Sequence, residues 1–210
     1  MHNKKPVVYV VGDSISLQYG PYLKQMLEPE YVYSRKSGEE EALRNLDVPM
    51  GANGGDSAMV RDFLESLAAS GNFHADYLLI NCGLHDIKTD PATGARQVGE
   101  ESYRANLELI VNIARGLSSH LVWIETTPVD DALHAKRGCG FERFESDRQR
   151  YGIIAEEVMA KAGLPVVHLG RFTEKLGTGK DIFSDGVHFT PHVQQQQAAY
   201  IAGYLQHYAI

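Results

Sequence analysis

Three observations predict an α/β domain with three layers around a five-stranded parallel sheet. Five short apolar runs (residues 7–11, 31–33, 77–80, 121–124 and 164–169) are continuous rather than alternating, as in strands covered on both faces. Segments with apolar residues at helical spacing stand between them. No linker, internal repeat or low-complexity stretch divides the 210 residues, so one domain over 1–210 is expected.

Each element has its own reason. Val7, Val8, Tyr9, Val10 and Val11 form a β-branched and aromatic run that Gly12-Asp13 interrupts. Ile15, Leu17, Tyr19, Tyr22, Leu23, Met26 and Leu27 then follow a helical pattern. After the short second strand, residues 39–46 suit a helical turn or two, and 47–55 form a loop rich in Gly, Pro and Asn. Ala58, Val60, Phe63, Leu64 and Leu67 lie at helical spacing, and the strand at 77–80 ends at Asn81-Cys82-Gly83. In the second half a helix over 100–117 leads to the strand 121–124, which ends at Thr126-Thr127-Pro128. A polar loop at 129–145 precedes a helix over 147–162, and the last strand spans 164–169. A helix begins near Pro191, a residue suited to a first turn, and runs to the end.

Charge and composition exclude several function classes. With 20 Lys+Arg against 27 Asp+Glu the net charge is −7, and no basic run is present, which argues against nucleic-acid binding. No apolar run approaches the roughly 20 residues that span a bilayer. Cys82 and Cys139 cannot make a disulfide framework, and the apolar stretch after the N-terminal lysines is too short for a signal peptide; a cytoplasmic protein is expected. Oligomeric state is not readable; Tyr200, Tyr204 and Tyr208 suit either core or contact.

Ligands of open parallel sheets bind beyond the carboxyl ends of the strands. That edge gathers Gly12-Asp13-Ser14, the 51–57 loop, 81–86 and 126–129. Ser14, at the first strand-to-helix turn, would expose its hydroxyl beside a free helix N-terminal N–H; equally, Ser14 or Asp13 could simply cap that helix. Asp185-Gly186-Val187-His188 places a carboxylate where it can reach the imidazole Nδ1–H, leaving Nε2 to accept a proton from a hydroxyl.

Together, Gly12-Asp13-Ser14-Ile15-Ser16 and Asp185-x-x-His188 resemble the first and last blocks of the SGNH hydrolases, the GDSL esterase/lipase family. The resemblance implies a flavodoxin-like fold and a serine esterase acting on a small-molecule ester, with no metal or organic cofactor. It makes Ser14 the nucleophile, His188 the general base and then acid, and Asp185 the group that orients His188. It also implies an oxyanion hole built from the Ser14 N–H, a block-two glycine (Gly55, or Gly54) and a side chain from block three. Block three departs from the pattern: Gly83-Leu84-His85-Asp86 has His where Asn is usual. His85 ranks first for the third donor, ahead of Asn81 and Asn53. Asp13, Arg35 and Thr127 are placed at the substrate rim, and the long 129–145 loop, with His134, Lys136, Arg137, Phe141 and Phe144, as a wall facing the substrate.

The alternatives are a non-catalytic binding protein on the same fold and an acyltransferase with the same triad. Other readings are weaker. His188-x-x-x-His192 has zinc-pair spacing, but Pro191 starts the helix between the two. Gly177-Thr178-Gly179-Lys180 lacks the full phosphate-loop pattern, and the first turn lacks G-x-G-x-x-G. Cys82 reads as a buried strand-end hydrophobe and Cys139 as a loop residue.

Overall fold

The computed structural model describes residues 4–208. In chain order the elements are β1 (Val7–Val11), α1 (Ser14–Leu27), β2 (Val32–Arg35), α2 (Glu39–Arg44), α3 (Ser57–Ser70), β3 (Ala75–Ile80) and α4 (Glu100–Ala114). They continue with β4 (Ser118–Ile124), α5 (Asp131–Ala135), α6 (Glu145–Ala162), β5 (Val166–Val167), α7 (Leu169–Glu174) and α8 (Pro191–Tyr208). A single 3₁₀ turn, Gly179–Asp181, falls on the Gly177-Thr178-Gly179-Lys180 stretch.

All strand pairs are parallel and the sheet order is β2-β1-β3-β4-β5. Helices α1, α7 and α8 pack together, as do α3, α4 and α6. The expected α/β architecture with five parallel strands is therefore the observed one. Chain direction across the sheet reverses between β1 and β3, so the crevice for a ligand opens beyond their ends. The core is a continuous apolar cluster containing Val8, Val10, Leu78, Leu79, Ile80, Leu121 and Val122 with Leu23, Leu107, Ile154 and Ile201 from the helices.

Boundaries differ from the sequence expectation where hydrogen bonding overrides pattern. The second strand covers 32–35 rather than 31–33, because the Tyr31 N–H still donates to Leu27 O at the end of α1. The long fourth helix stops at Ala114, where the Gly116 N–H turns back onto Ile113 O, and β4 then begins at the polar Ser118. The last strand shrinks to two residues: Pro165 has no N–H to give, and after Val167 the chain enters α7, which the pattern had not indicated. The 129–145 loop contains α5, capped by the Asp130 carboxylate on the Leu133 N–H at 2.9 Å.

Among the described residues no helix is long and apolar enough to cross a membrane. Cys82 is fully buried and burial pushes its thiol well up, in keeping with a packing role; Cys139 donates to Phe141 O at 3.4 Å. Tyr200 stacks on Phe172 at 4.3 Å and Tyr204 packs against the core. The side chain of Tyr208 and the residues at 1–3 lie outside what is described.

One contact fixes the spacing of the crevice: the Gly54 N–H donates to Gly12 O at 2.9 Å. A Cβ on Gly54 would stand 3.0 Å from that oxygen and 3.3 Å from Val60 Cγ2. Gly54→Ala is therefore expected to destabilise the fold by about 1–3 kcal/mol, measured as a shift in denaturation midpoint at unchanged m-value.

Candidate active site

Asp13 begins the site by capping α1, its Oδ1 accepting the Ile15 N–H at 3.0 Å. That cap leaves Ser14 at the first helical position, just beyond the end of β1, and frees its hydroxyl. The Ser14 hydroxyl donates to His188 Nε2 at 2.9 Å, and His188 Nδ1–H donates to Asp185 Oδ2 at 2.7 Å. Asp185 Oδ1 meanwhile accepts the N–H of His188 (2.8 Å) and of Val187 (3.0 Å), so the turn itself aims the carboxylate. Burial raises the Asp185 pKa, but the hydrogen bonds and charge of His188 outweigh it and hold the carboxyl far below the usual range.

Gly186 makes the turn possible. Its φ is +89°, and a Cβ there would lie 2.4 Å from the His134 nitrogen. The turn is thereby pressed onto the wall that starts at Asp130, whose N–H donates to Gly186 O at 2.8 Å.

The proposed oxyanion donors fare differently. Gly54 is excluded, since its N–H is bound to Gly12 O. The Gly55 N–H is turned onto Asn53 Oδ1 at 3.0 Å, so a substrate oxygen would have to share it. Asn53 spends its amide on Leu46 O (3.2 Å), and Asn81 spends its own on Ile124 O (2.9 Å) and Thr126 Oγ1 (3.3 Å). Asn81 has both amide N–H groups engaged, whereas Asn53 keeps one. His85 is 1% exposed and neither ring nitrogen has a partner. Burial, with the charges of Lys88, Arg143 and His188, lowers its pKa well below the usual imidazole value, so the ring is neutral and carries one N–H.

The three rim candidates are corrected by the structure. Asp13 is 1% exposed and engaged as the helix cap. Arg35 reaches inward to Ser16 O (2.9 Å), Ser16 Oγ (3.1 Å) and Ala52 O (3.3 Å), tying the turn that carries Ser14 to the 51–57 loop. Thr127, 2% exposed, borders a void of about 10 Å³ with Asn81, Tyr19 and Leu169. Asp13 and Arg35 are drawn inward by backbone groups that need partners, whereas the buried Thr127 hydroxyl makes no hydrogen bond among the described residues.

Sequence reasoning named Arg137 and His134 only as wall residues and missed the charged group they form with Asp47, Lys88 and Arg143 beside Asp185. Asp47 accepts from Arg137 (Nη1 at 3.4 Å, Nη2 closer) and from Arg143 Nη1 at 3.3 Å. Arg143 also donates to Leu84 O at 2.7 Å, next to His85, and to His134 Nε2 at 3.2 Å. His134 is accordingly a neutral acceptor, its pKa lowered to about 4 by burial and by Arg143 and Arg137. Lys88 donates to Asp47 O at 2.5 Å and lies over the Phe141 ring. These residues are separated by up to 96 positions, and no local spacing announces them.

The aspartate of block three has a structural task. Asp86 accepts the Ser57 N–H at 2.9 and 3.1 Å, fixing the start of α3 against the end of β3. No zinc pair forms, since His188 uses both nitrogens and the exposed His192 contacts Gln196. Elsewhere Glu125, Glu156 and His168 bring ligand-type atoms within 4.8 Å of one another, but the Arg171 guanidinium already lies against both carboxylates.

A parallel five-stranded sheet with a serine at its first strand-to-helix turn, hydrogen-bonded to a D-x-x-H imidazole before the last helix, defines a hydrolase of the SGNH/GDSL type. The profile of the GDSL-like lipase/acylhydrolase family matches residues 10–196, and the chain belongs to that family. No curated protein matches the chain. Among solved structures it is similar to a lipase/acylhydrolase from Enterococcus faecalis (TM-score 0.71, 18% identity, 96% of each chain covered). It is also similar to a GDSL-like lipase from Bacteroides thetaiotaomicron (TM-score 0.66, 14% identity, 98% of this chain and 89% of that one). An acetylxylan esterase from Geobacillus stearothermophilus matches with TM-score 0.66, 14% identity, and 98% and 95% coverage. At these identities the likeness is one of fold.

Burial raises the Asp86 pKa to about 7. Its folded value exceeds the unfolded one, so the native state binds more protons between about pH 4 and 7, and stability falls as pH rises through that window. Asp86→Asn should flatten this dependence, read from melting temperatures measured at intervals from pH 4 to 8.

Proposed function

We propose that the protein is a serine esterase that cleaves small acyl esters through a covalent acyl-enzyme on Ser14. The observation that carries this reading is the unbroken chain from Ser14 Oγ through His188 to Asp185, at 2.9 and 2.7 Å. Ser14 Oγ attacks the ester carbonyl carbon while its proton passes to His188 Nε2. Asp185 holds the imidazole in the tautomer with Nδ1–H and stabilises the imidazolium. The Ser14 N–H, as a first-turn donor without an intrahelical partner, and the His85 ring N–H take the oxyanion, with the Gly55 N–H shared between it and Asn53. Collapse of the intermediate expels the alcohol, which takes the proton from His188. Water then attacks the acyl-Ser14 with His188 again as base, releasing the acid and restoring the hydroxyl.

Nothing in these steps calls on a metal or cofactor. Ser14 and His188 are each only 3% exposed, which favours a small acyl group over a long chain. An O-acetyl group on a carbohydrate is one substrate of that size, the class named for the Geobacillus relative. The reading also has the whole chain act as one unit, because nucleophile and base lie 174 residues apart.

The reading is tested on both the nucleophile and the oxyanion donor. Mass spectrometry after brief exposure to p-nitrophenyl acetate should find an acetyl group on Ser14, and Ser14→Ala should lower kcat by about 10⁴–10⁶; wild-type turnover by Ser14→Ala would end the assignment. Turnover should also fall as the acyl chain lengthens from acetyl to octanoyl. Separately, His85→Ala should lower kcat by about 10²–10³ with a smaller change in KM, whereas a larger kcat loss in Asn81→Ala would move the donor role there.

A further inference from the structure

Arg137 Nη2 stands 3.5 Å from Asp185 Oδ2, the same oxygen that accepts the His188 Nδ1–H at 2.7 Å. The other partner of this guanidinium is Asp47, which it meets through both terminal nitrogens. One cation is thus divided between two carboxylates, one belonging to the proposed triad and one outside it. The side chains of Arg137 and Asp47 are 22% and 13% exposed, so water weakens their interactions only in part.

We infer that the Asp47–Arg137 pair is a positioning and tuning device that sets how strongly Asp185 holds the general base His188. The inference rests on the reading of Ser14, His188 and Asp185 as the reacting groups. Its physics is a competition for Asp185 Oδ2. As Ser14 attacks, His188 becomes an imidazolium stabilised by the Asp185 charge. Arg137, close to that charge, draws part of it away and opposes the new cation. Asp47 limits the effect by holding Arg137 back and by adding a negative charge near His188. Asp13 from the turn before α1 and neutral His85 from the segment after β3 also face His188. On the wall after β4, neutral His134 stands near Asp185 and Arg137, and Arg143 stands near Asp47 and Asp13. Arg143 is tied to Asp47 as well, so Asp47 balances both guanidinium groups of that wall.

The sign of each perturbation follows. Removing the Arg137 charge favours the imidazolium, and the acid limb of kcat/KM, which reports the base of the free enzyme, moves to higher pH. Neutralising Asp47 releases Arg137 toward Asp185 and removes a negative charge near His188; both effects move the limb to lower pH. The expected displacement is about 0.5–1 pH unit in each direction. A role confined to holding the loop together would change melting temperature or kcat and leave the limb in place.

The test is the pH dependence of kcat/KM for p-nitrophenyl acetate between pH 5 and 9, on wild type, Arg137→Gln, Arg137→Lys and Asp47→Asn, with melting temperatures alongside. The expected result is an upward shift for Arg137→Gln, a downward shift for Asp47→Asn, and a limb near wild type for Arg137→Lys, which keeps the charge. Limbs that stay fixed, or that move the same way in Arg137→Gln and Asp47→Asn, overturn the inference. Should either variant fail to fold, the shift in the other and the response of Arg137→Lys still decide it. Ser14→Ala separates the two levels: full activity in that variant overturns the esterase reading and this inference together. Loss of activity there combined with fixed limbs overturns the inference alone.

Discussion

The hydrogen bond from the Gly54 N–H to Gly12 O is the contact on which the rest of the site depends. It forms where β1 and β3 end side by side, and it brings the nucleophile turn within backbone distance of the 51–57 loop. Neighbouring contacts lock this arrangement. Arg35 bonds to both Ser16 and Ala52, and Asp86 receives the Ser57 N–H that follows the loop. Buried backbone groups require partners, so each bond also limits which groups stay free for a ligand. The Gly54 N–H and both Asn81 amide N–H groups are consumed in this way, and His85 is left with unpaired nitrogens.

The site is therefore buried, polar and balanced by long-range pairs. Asp13, Asp86 and His85 are each almost fully buried, and burial disfavours the charged form of all three. Opposed to them is a set of cations, Lys88, Arg137 and Arg143, gathered on Asp47 by elements far apart in the chain. A protein with net charge −7 thus places a compact basic group beside its proposed catalytic imidazole. Arg137 and Arg143 come from the wall between α5 and α6, which the length of the 129–145 loop had marked as functional without indicating how; Lys88 comes from the segment after β3.

Much of the fold was legible because strands buried on both faces and helices with one apolar face leave local, periodic traces. The five parallel strands and the helix that starts at Ser14 agree with those traces. The errors fell where periodicity carries no information. Pro165, lacking an N–H, and Gly116, through its hydrogen bond to Ile113 O, redrew two element ends, and α7 is too short for its apolar residues to show a period. Arg35 and Thr127 were placed at the rim because they sit at the right edge of the sheet; Arg35 turns inward onto acceptors contributed by other segments, Ser16 O and Ala52 O, while Thr127 is buried without a hydrogen-bond partner among the described residues.

By itself, the sequence determined the layered α/β architecture, the turn that presents Ser14, and the three-residue step from Asp185 to His188. All of these are local, set by side-chain shape and by hydrogen bonds spanning a few residues. Only the tertiary structure decided that Ser14 meets His188, that neither ring nitrogen of buried His85 finds a partner, and that Arg137 divides itself between Asp185 and Asp47. The reason is physical. Whether a donor is free, or a charge is shared, depends on every group within a few ångströms, and in this fold those groups come from segments up to 174 residues apart.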